Sequence, residues 1–170
     1  MNKINLQYIA GFFDGEGCIG IYSNKGNKNF RLTVQLVQNK DDNVDKIMDY
    51  LIFRFGGSLS EQITLSGNTK YNWQLNSLGA VKFLKKIIPY LILKKDQAII
   101  AVNWQKQRPK MVRDKRGRIC ASRKADVDFN IKVVKLVKLL KRDDIKTVMK
   151  NQEDLVEILV ELKPLGVIKG

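Results

Sequence analysis

Between Tyr8 and Gly17 the chain reads Tyr-Ile-Ala-Gly-Phe-Phe-Asp-Gly-Glu-Gly, and no other stretch restricts the fold as strongly. Tyr8, Ile9, Phe12 and Phe13 recur at helical spacing, while Gly11 and Gly15, four residues apart, leave another helical face without side chains. Two glycines cost a helix roughly 1 kcal/mol each, so a close contact is needed to explain them. Small residues at this spacing are best documented where membrane helices cross, but the steric reason holds wherever two helices meet tightly. The spacing predicts a helix over about residues 5–14, stopped by Gly15 and Gly17, which disfavour continuation and readily adopt positive φ. Glu16 then projects from the helix end, where a hard divalent cation held by oxygen ligands suits a lone carboxylate. Taken alone, Asp-Gly-Glu-Gly is more often a solvated turn.

The segments that follow alternate. Cys18–Asn24 and Phe30–Val37 read as strands around a turn at Asn24-Lys25-Gly26-Asn27. Residues 41–54 carry Val44, Ile47, Met48, Leu51 and Ile52 at helical spacing after an Asp-Asp start. A second hairpin joins Ser58–Leu65 to Lys70–Leu75 through Ser66-Gly67-Asn68, and helices over 77–88 and 93–107 are separated at Pro89. The order predicts an α+β fold with an αββαββα core, in which helices cover one face of a four-stranded antiparallel sheet, followed by C-terminal helices.

Strand parity assigns the two sheet faces. Ile19, Ile21, Leu32, Val34, Leu36, Leu59, Tyr71, Trp73 and Leu75 share one parity and should lie beneath the helices. The other parity carries Tyr22, Asn24, Asn29, Arg31, Thr33, Gln35, Ser58, Ser60, Gln62, Lys70, Asn72 and Gln74. Such a face can simply be solvated. It is also what hydrogen bonding to base edges in a major groove requires, with Arg31 or Lys70 suited to guanine and the amides to adenine.

Charge points the same way. The 31 Lys and Arg exceed the 17 Asp and Glu by +14, which suits a polyanion, most commonly nucleic acid. Residues 106–142 hold 14 basic and 3 acidic side chains, +11 of that total. The loop over 106–124, with Arg108, Lys110, Arg113, Lys115, Arg116 and Arg118, suits phosphate contacts that position without reading sequence. Val127, Ile131, Val134, Leu136, Val137, Leu139 and Leu140 then predict an amphipathic helix, and an acidic helix near Asp154–Leu162 is expected to cover the core. At 170 residues the chain fits a single domain over 1–170, with a core over about 5–105, a basic loop over 106–124 and C-terminal helices over 125–163. There is no run of about 20 apolar residues and no signal-peptide pattern, so no membrane partner and an intracellular location are expected. Cys18 and Cys120 form no Cys-x-x-Cys pair and read as packing residues. The chain has no histidine, which removes His-based general bases, His-metal sites and Ser-His or Cys-His nucleophile pairs. Any hydrolysis must use carboxylates, lysine, water and metal.

Ile9 to Gly17 resembles the nine-residue motif that names the LAGLIDADG homing endonucleases. Ala10, Gly11, Asp14 and Gly17 match, and Ile9, Phe12, Phe13, Gly15 and Glu16 are usual substitutions. The resemblance extends over roughly residues 5–105, and the motif occurs once, without a second copy near Gly79 or Leu91. Cutting both strands of a duplex addresses two scissile phosphates, so a single-motif chain most simply acts as a two-fold dimer. The resemblance implies motif helices packed at the dimer axis through Ala10, Gly11, Asp14 and Gly15. It implies Glu16 as the main ligand of Mg²⁺, joined by the Gly15 carbonyl, with Mn²⁺ as a substitute and Ca²⁺ binding without supporting cleavage. It further implies that Gln38 and Lys94 orient and polarise the attacking water, Lys95 being the neighbour if the correspondence shifts by one. Where the family commonly has a basic residue a few positions after the glutamine, Asp41 and Asp42 stand here, which leaves that role open, with Lys40 as a candidate. Glu16 replaces the motif's commoner Asp. Asp14, in the last helical turn, is expected to bond local backbone and not to act as a second catalytic acid.

The implied reaction hydrolyses one phosphodiester in each strand of a long, near-palindromic double-stranded DNA site, leaving 3′-hydroxyl and 5′-phosphate ends with short 3′ overhangs. An intron or intein origin follows from the same resemblance, with an archaeal cytoplasm or an organelle matrix as the setting. Two other readings stay open: a splicing maturase that binds intron RNA, and a DNA-binding regulator without chemistry.

Overall fold

The computed structural model describes residues 4–23, 29–108, 115–116, 124–151 and 155–162 of the 170-residue chain. Asn24, Arg113, Arg118 and Cys120, and the turn at 24–27, lie outside the described residues.

Helix α1 (Leu6–Glu16) begins at Asn5, whose side chain accepts the Tyr8 N–H at 2.8 Å, satisfying one of the first-turn donors. It ends two residues later than the expected Asp14. Gly15 stays helical, and Gly17 is extended at φ −74°, ψ 156°, so neither adopts the positive φ that the sequence suggested. Strand pairing ends the helix, since Gly17 is already the first residue of β1 (Gly17–Ser23) and pairs with Leu36. What Gly17 supplies is space: a Cβ there would overlap the Phe13 ring.

β1 pairs antiparallel with β2 (Phe30–Asn39), β2 with β4 (Thr69–Asn76), and β4 with β3 (Ser58–Ile63), giving the order β1-β2-β4-β3. Between the hairpins lies α2 (Asp42–Phe55), capped by Asp41, which accepts from Asn43 and Val44. After β4 come α3 (Ser77–Ile87), a 3₁₀ turn (Ile88–Tyr90) containing Pro89, and α4 (Lys95–Gln107). The α+β core and its four-stranded antiparallel sheet are as expected.

Helices cover one sheet face. Ile19, Leu32, Val34, Leu36 and Trp73 are fully buried there. Phe83 on α3 binds the layers together: its ring lies edge-to-face against Phe13, Phe55 and Trp73 at centroid distances of 5.2, 5.0 and 5.1 Å, a geometry favoured by the aromatic quadrupole. Leu59 departs from its expected place, being 37% exposed, because β3 is the edge strand and the helices leave it largely uncovered. All six β3 residues are exposed.

Eight consecutive residues of α4, Gln97–Trp104, are buried, the mark of a helix enclosed on every side. The C-terminal helices provide the second cover: α5 (Lys124–Leu139), α6 (Ile145–Asn151) and α7 (Val156–Leu162). The buried stripe of α5 runs through Val127, Val133, Leu136 and Val137, while Ile131 is 53% exposed. Ile131 therefore leaves the expected core set and Val133 joins it. α7 covers the core as expected, through Ile158, Leu159 and Leu162, with Leu155 buried just before it, and α6 is an additional helix capped by Asp144.

Candidate functional site

Asp14 and Glu16 sit two residues apart in the last turn of α1 and have different surroundings. Asp14 is 7% exposed. Its Oδ2 accepts the backbone N–H groups of Ile92 at 2.6 Å and Leu93 at 3.2 Å, and its Oδ1 accepts that of Lys94 at 2.9 Å. These donors lie just before α4, so the carboxylate caps that helix from another part of the chain, where negative charge is favoured. Asp14 bonds backbone as anticipated, but the backbone is 78 to 80 residues away in sequence and not local. The Lys94 ammonium closes the clamp by donating to the Asp14 carbonyl oxygen. The candidate lysine is thereby held against the end of the motif helix.

Glu16, the last helical residue, is exposed and forms no ion pair with another described residue. By the pairing of Gly17 with Leu36, the end of β2 that carries Gln38 runs alongside the end of α1. Gln38 is half-buried, its Oε1 accepting the Asn39 N–H at 3.2 Å. Lys95 is exposed and next to Lys94. Among the described residues no group of three His, Cys, Asp or Glu is assembled. The donor set of one unpaired carboxylate beside the Gly15 carbonyl fits a hard cation whose remaining oxygens come from elsewhere, such as water, a phosphate or a second copy of the chain. Lys40 is drawn away: its ammonium pairs with Glu61 at 2.8 Å and lies 5.2 Å from the Tyr71 ring centroid. Those bonds, with Glu61 foremost, raise its pKa. Glu61 is on β3, the edge of the sheet opposite β1.

On the polar face the register aligns the expected residues in rows. Gln35 faces Cys18 on β1 and Gln74 on β4, which faces Ser58; Asn72 faces Val37 and Ser60; Lys70 faces Asn39 and Gln62; and Tyr22 faces Arg31. Gln35 donates to Asn72 at 2.9 Å, so these amides brace one another diagonally. Asn29 flanks β2. Thr33 departs most from an exposed face, while Gln35, Lys70, Asn72 and Gln74 are half-buried. Thr33 is 4% exposed and its hydroxyl donates to Asn76 at 2.8 Å. Tyr22 folds back over Gly20, its hydroxyl 3.8 Å from Cys18 Sγ, and burial, followed by Cys18, pushes its pKa up to about 12. Asn39 and Asn76 also belong to this face and were missed in the sequence, although continuing the parity beyond Val37 and Leu75 would have found them.

The expected assembly residues divide between two faces of α1. Gly11 and Gly15 are exposed, with open space where a Cβ would stand, beside Tyr8 and the half-buried Phe12, whose rings stack at 6.3 Å. Ala10 is fully buried and Asp14 nearly so, so within the chain they face the core and not the bare surface. Of the basic loop, Lys115 and Arg116 are described and exposed. Lys141 was not singled out; it reaches the motif end, its ammonium 3.2 Å from Cys18 Sγ. No local sequence signal could link residues 123 positions apart.

The LAGLIDADG endonuclease family profile matches residues 9–100. Among solved structures, the chain is similar to the homing endonuclease I-CvuI bound to its target in the presence of calcium, at 21% identity and a TM-score of 0.59, covering 92% of this chain and 93% of that one. A second I-CvuI structure, with an I-CreI target and magnesium and its DNA not cleaved, matches at 21% identity and a TM-score of 0.58, with the same coverage. The homing endonuclease I-TnaI matches at 16% identity and a TM-score of 0.50, over 95% of this chain and 99% of that one. These likenesses show a shared fold. No curated protein matches the sequence.

Proposed function

The chain belongs to the LAGLIDADG endonuclease family, and from that premise we propose that it is a site-specific, double-strand DNA endonuclease of the homing type, acting as a homodimer with a divalent cation. The observation that carries this reading is the end of α1, which carries an exposed Glu16 with no ion pair among the described residues, holds Lys94 through Asp14, and leads into the sheet at Gly17. The calcium and magnesium in the DNA complexes of I-CvuI support divalent metal use here as well.

Each residue then has a defined task. The rows of Gln35, Gln74, Asn72, Lys70 and Arg31 engage base edges, and Arg116 and Lys115 engage phosphates. Glu16 and the Gly15 carbonyl hold the cation, which when bound supplies a water of lowered pKa and neutralises charge on the phosphate. Lys94 holds positive charge near the reacting phosphate, fixed by the Asp14 carbonyl and the α4 cap. Gln38, at the end of β2, orients the attacking water. The bare face of Gly11 and Gly15 receives a second copy, which brings two such sites to the two strands.

The test is cleavage of a plasmid library of candidate insertion sites with Mg²⁺ and, in parallel, with chelator. Double-strand cuts that require Mg²⁺ are expected. The basic stretch over 106–142 favours a splicing reading as the runner-up; salt-sensitive intron RNA binding with no cutting in any condition would overturn the endonuclease.

A further inference from the structure

A cavity of about 490 Å³ opens beside the end of α1, lined by Gly17 and Cys18 of the motif end, Lys94 and Gln97 of the α4 start, and the loop after α5, Leu140–Asp144. Lys141 of that loop reaches Cys18, donating to its Sγ at 3.2 Å. Cys18 shares its strand face with Tyr22 and occupies the row of Gln35, Gln74 and Ser58. The exposed Lys141 therefore reaches the β1 edge of the sheet beside Cys18, in the strand that follows Glu16.

Its position is built and not incidental. Gln97 is 1% exposed, and its Nε2 donates both to the Ile19 carbonyl on β1, at 3.4 Å, and to the Val137 carbonyl on α5, at 2.8 Å. One buried amide thus fastens the last turn of α5 to the first strand, four residues before Lys141. Three acids share the cavity lining, Asp96, Asp143 and Asp144. Asp144 is occupied in capping α6, accepting the Thr147 N–H at 2.8 Å, and Lys141 makes no ion pair with any described residue. Lys40, the other candidate for a second cation, is tied to Glu61 at the far edge of the sheet.

We propose that Lys141 is a phosphate-contacting residue of the cleavage site, placing a second cation beside Lys94, with Gln97 as the positioning residue that fixes it. The inference rests on the endonuclease reading. On DNA binding the ammonium exchanges its weak thiol acceptor for a phosphate oxygen, a much stronger charge-assisted partner.

Lys141 is at the surface, so substitution leaves the core intact. With full-length protein and a cleaved target, Lys141→Gln should slow single-turnover cleavage about a hundredfold, the scale of removing one donor aimed at transition-state charge. The salt dependence of DNA binding, measured with Ca²⁺, should lose about one unit of slope per chain. Lys141→Arg, which keeps the charge, should bring the cleavage rate within about tenfold of wild type and restore the salt slope, which a purely structural role would not explain. Target DNA should also protect Cys18 of the wild type from alkylation by iodoacetamide, read at the Cys18 peptide so that Cys120 does not contribute. Wild-type cutting matched by Lys141→Gln, with an unchanged salt slope, overturns this inference alone. A wild type that cuts no candidate site under Mg²⁺ overturns the endonuclease reading and this inference with it.

Discussion

The inner and outer sides of the last turn of α1 each carry one carboxylate, and the two environments differ in nearly every respect. Residues two apart on a helix are separated by roughly 200° around its axis. Asp14 therefore turns inward, where it accepts three backbone N–H groups, and Glu16 turns out to solvent with no ion pair among the described residues. The comparison teaches that acidic character alone does not identify the reacting group. Asp14 joins α1 to α4 and thereby delivers Lys94, whereas Glu16 keeps its oxygens free for a ligand.

The sharpest separation comes from Glu16→Gln. Cleavage with Mg²⁺ should fall about a hundred- to a thousandfold, the range found when one electrostatic group of an active site is removed, while the thermal midpoint stays at the wild-type value. Asp14→Ala should do the reverse in kind: it leaves three backbone donors of the 92–94 segment without their acceptor and should lower unfolding stability by about 1–3 kcal/mol in urea titrations. Asp14 variants should lose cleavage only as a consequence of losing the Lys94 clamp.

A smaller effect separates the two faces of α1 further up the helix. Because nothing occupies the space around Gly11, Gly11→Leu should fit the single chain and raise its helical stability by about 0.5–1 kcal/mol. The same side chain should block the second copy, shifting sedimentation from dimer to monomer. An unchanged dimer would remove the bare face from the assembly. The smallest effect concerns Tyr22, whose pKa is pushed up to about 12 by burial and Cys18. Its folded value is raised above that of the unfolded chain, so its contribution to stability is complete below pH ~10 and is lost as pH rises toward about 12. Alkaline titration of phenolate absorbance should therefore lose its latest component in Tyr22→Phe.

Much of this was legible in the sequence, for reasons that differ by element. The period of two in β1, β2 and β4 placed Ile19, Val34 and Trp73 correctly, because helices cover those strands on one face only. The same rule failed at Leu59, since parity gives direction but not whether a cover extends to the sheet edge. Thr33 showed the converse, a residue on the polar face closed in by its own neighbours. Glycine propensity places the end of α1 too early, because what stops the helix is the strand pairing of Gly17, a long-range contact. The partners of Asp14, the pairing of Lys40 with Glu61 and the arrival of Lys141 at Cys18 are long-range contacts that no local pattern contains.

The measurement that bears most directly on the division between the two carboxylates is divalent-ion binding to the protein–DNA complex, titrating Mn²⁺ by electron paramagnetic resonance for wild type and Glu16→Gln. Loss of the tightly bound ion in Glu16→Gln, with DNA binding retained, is the predicted result. Wild-type ion binding by Glu16→Gln would contradict the account, because the free carboxylate at the end of α1 would then not be what holds the cation.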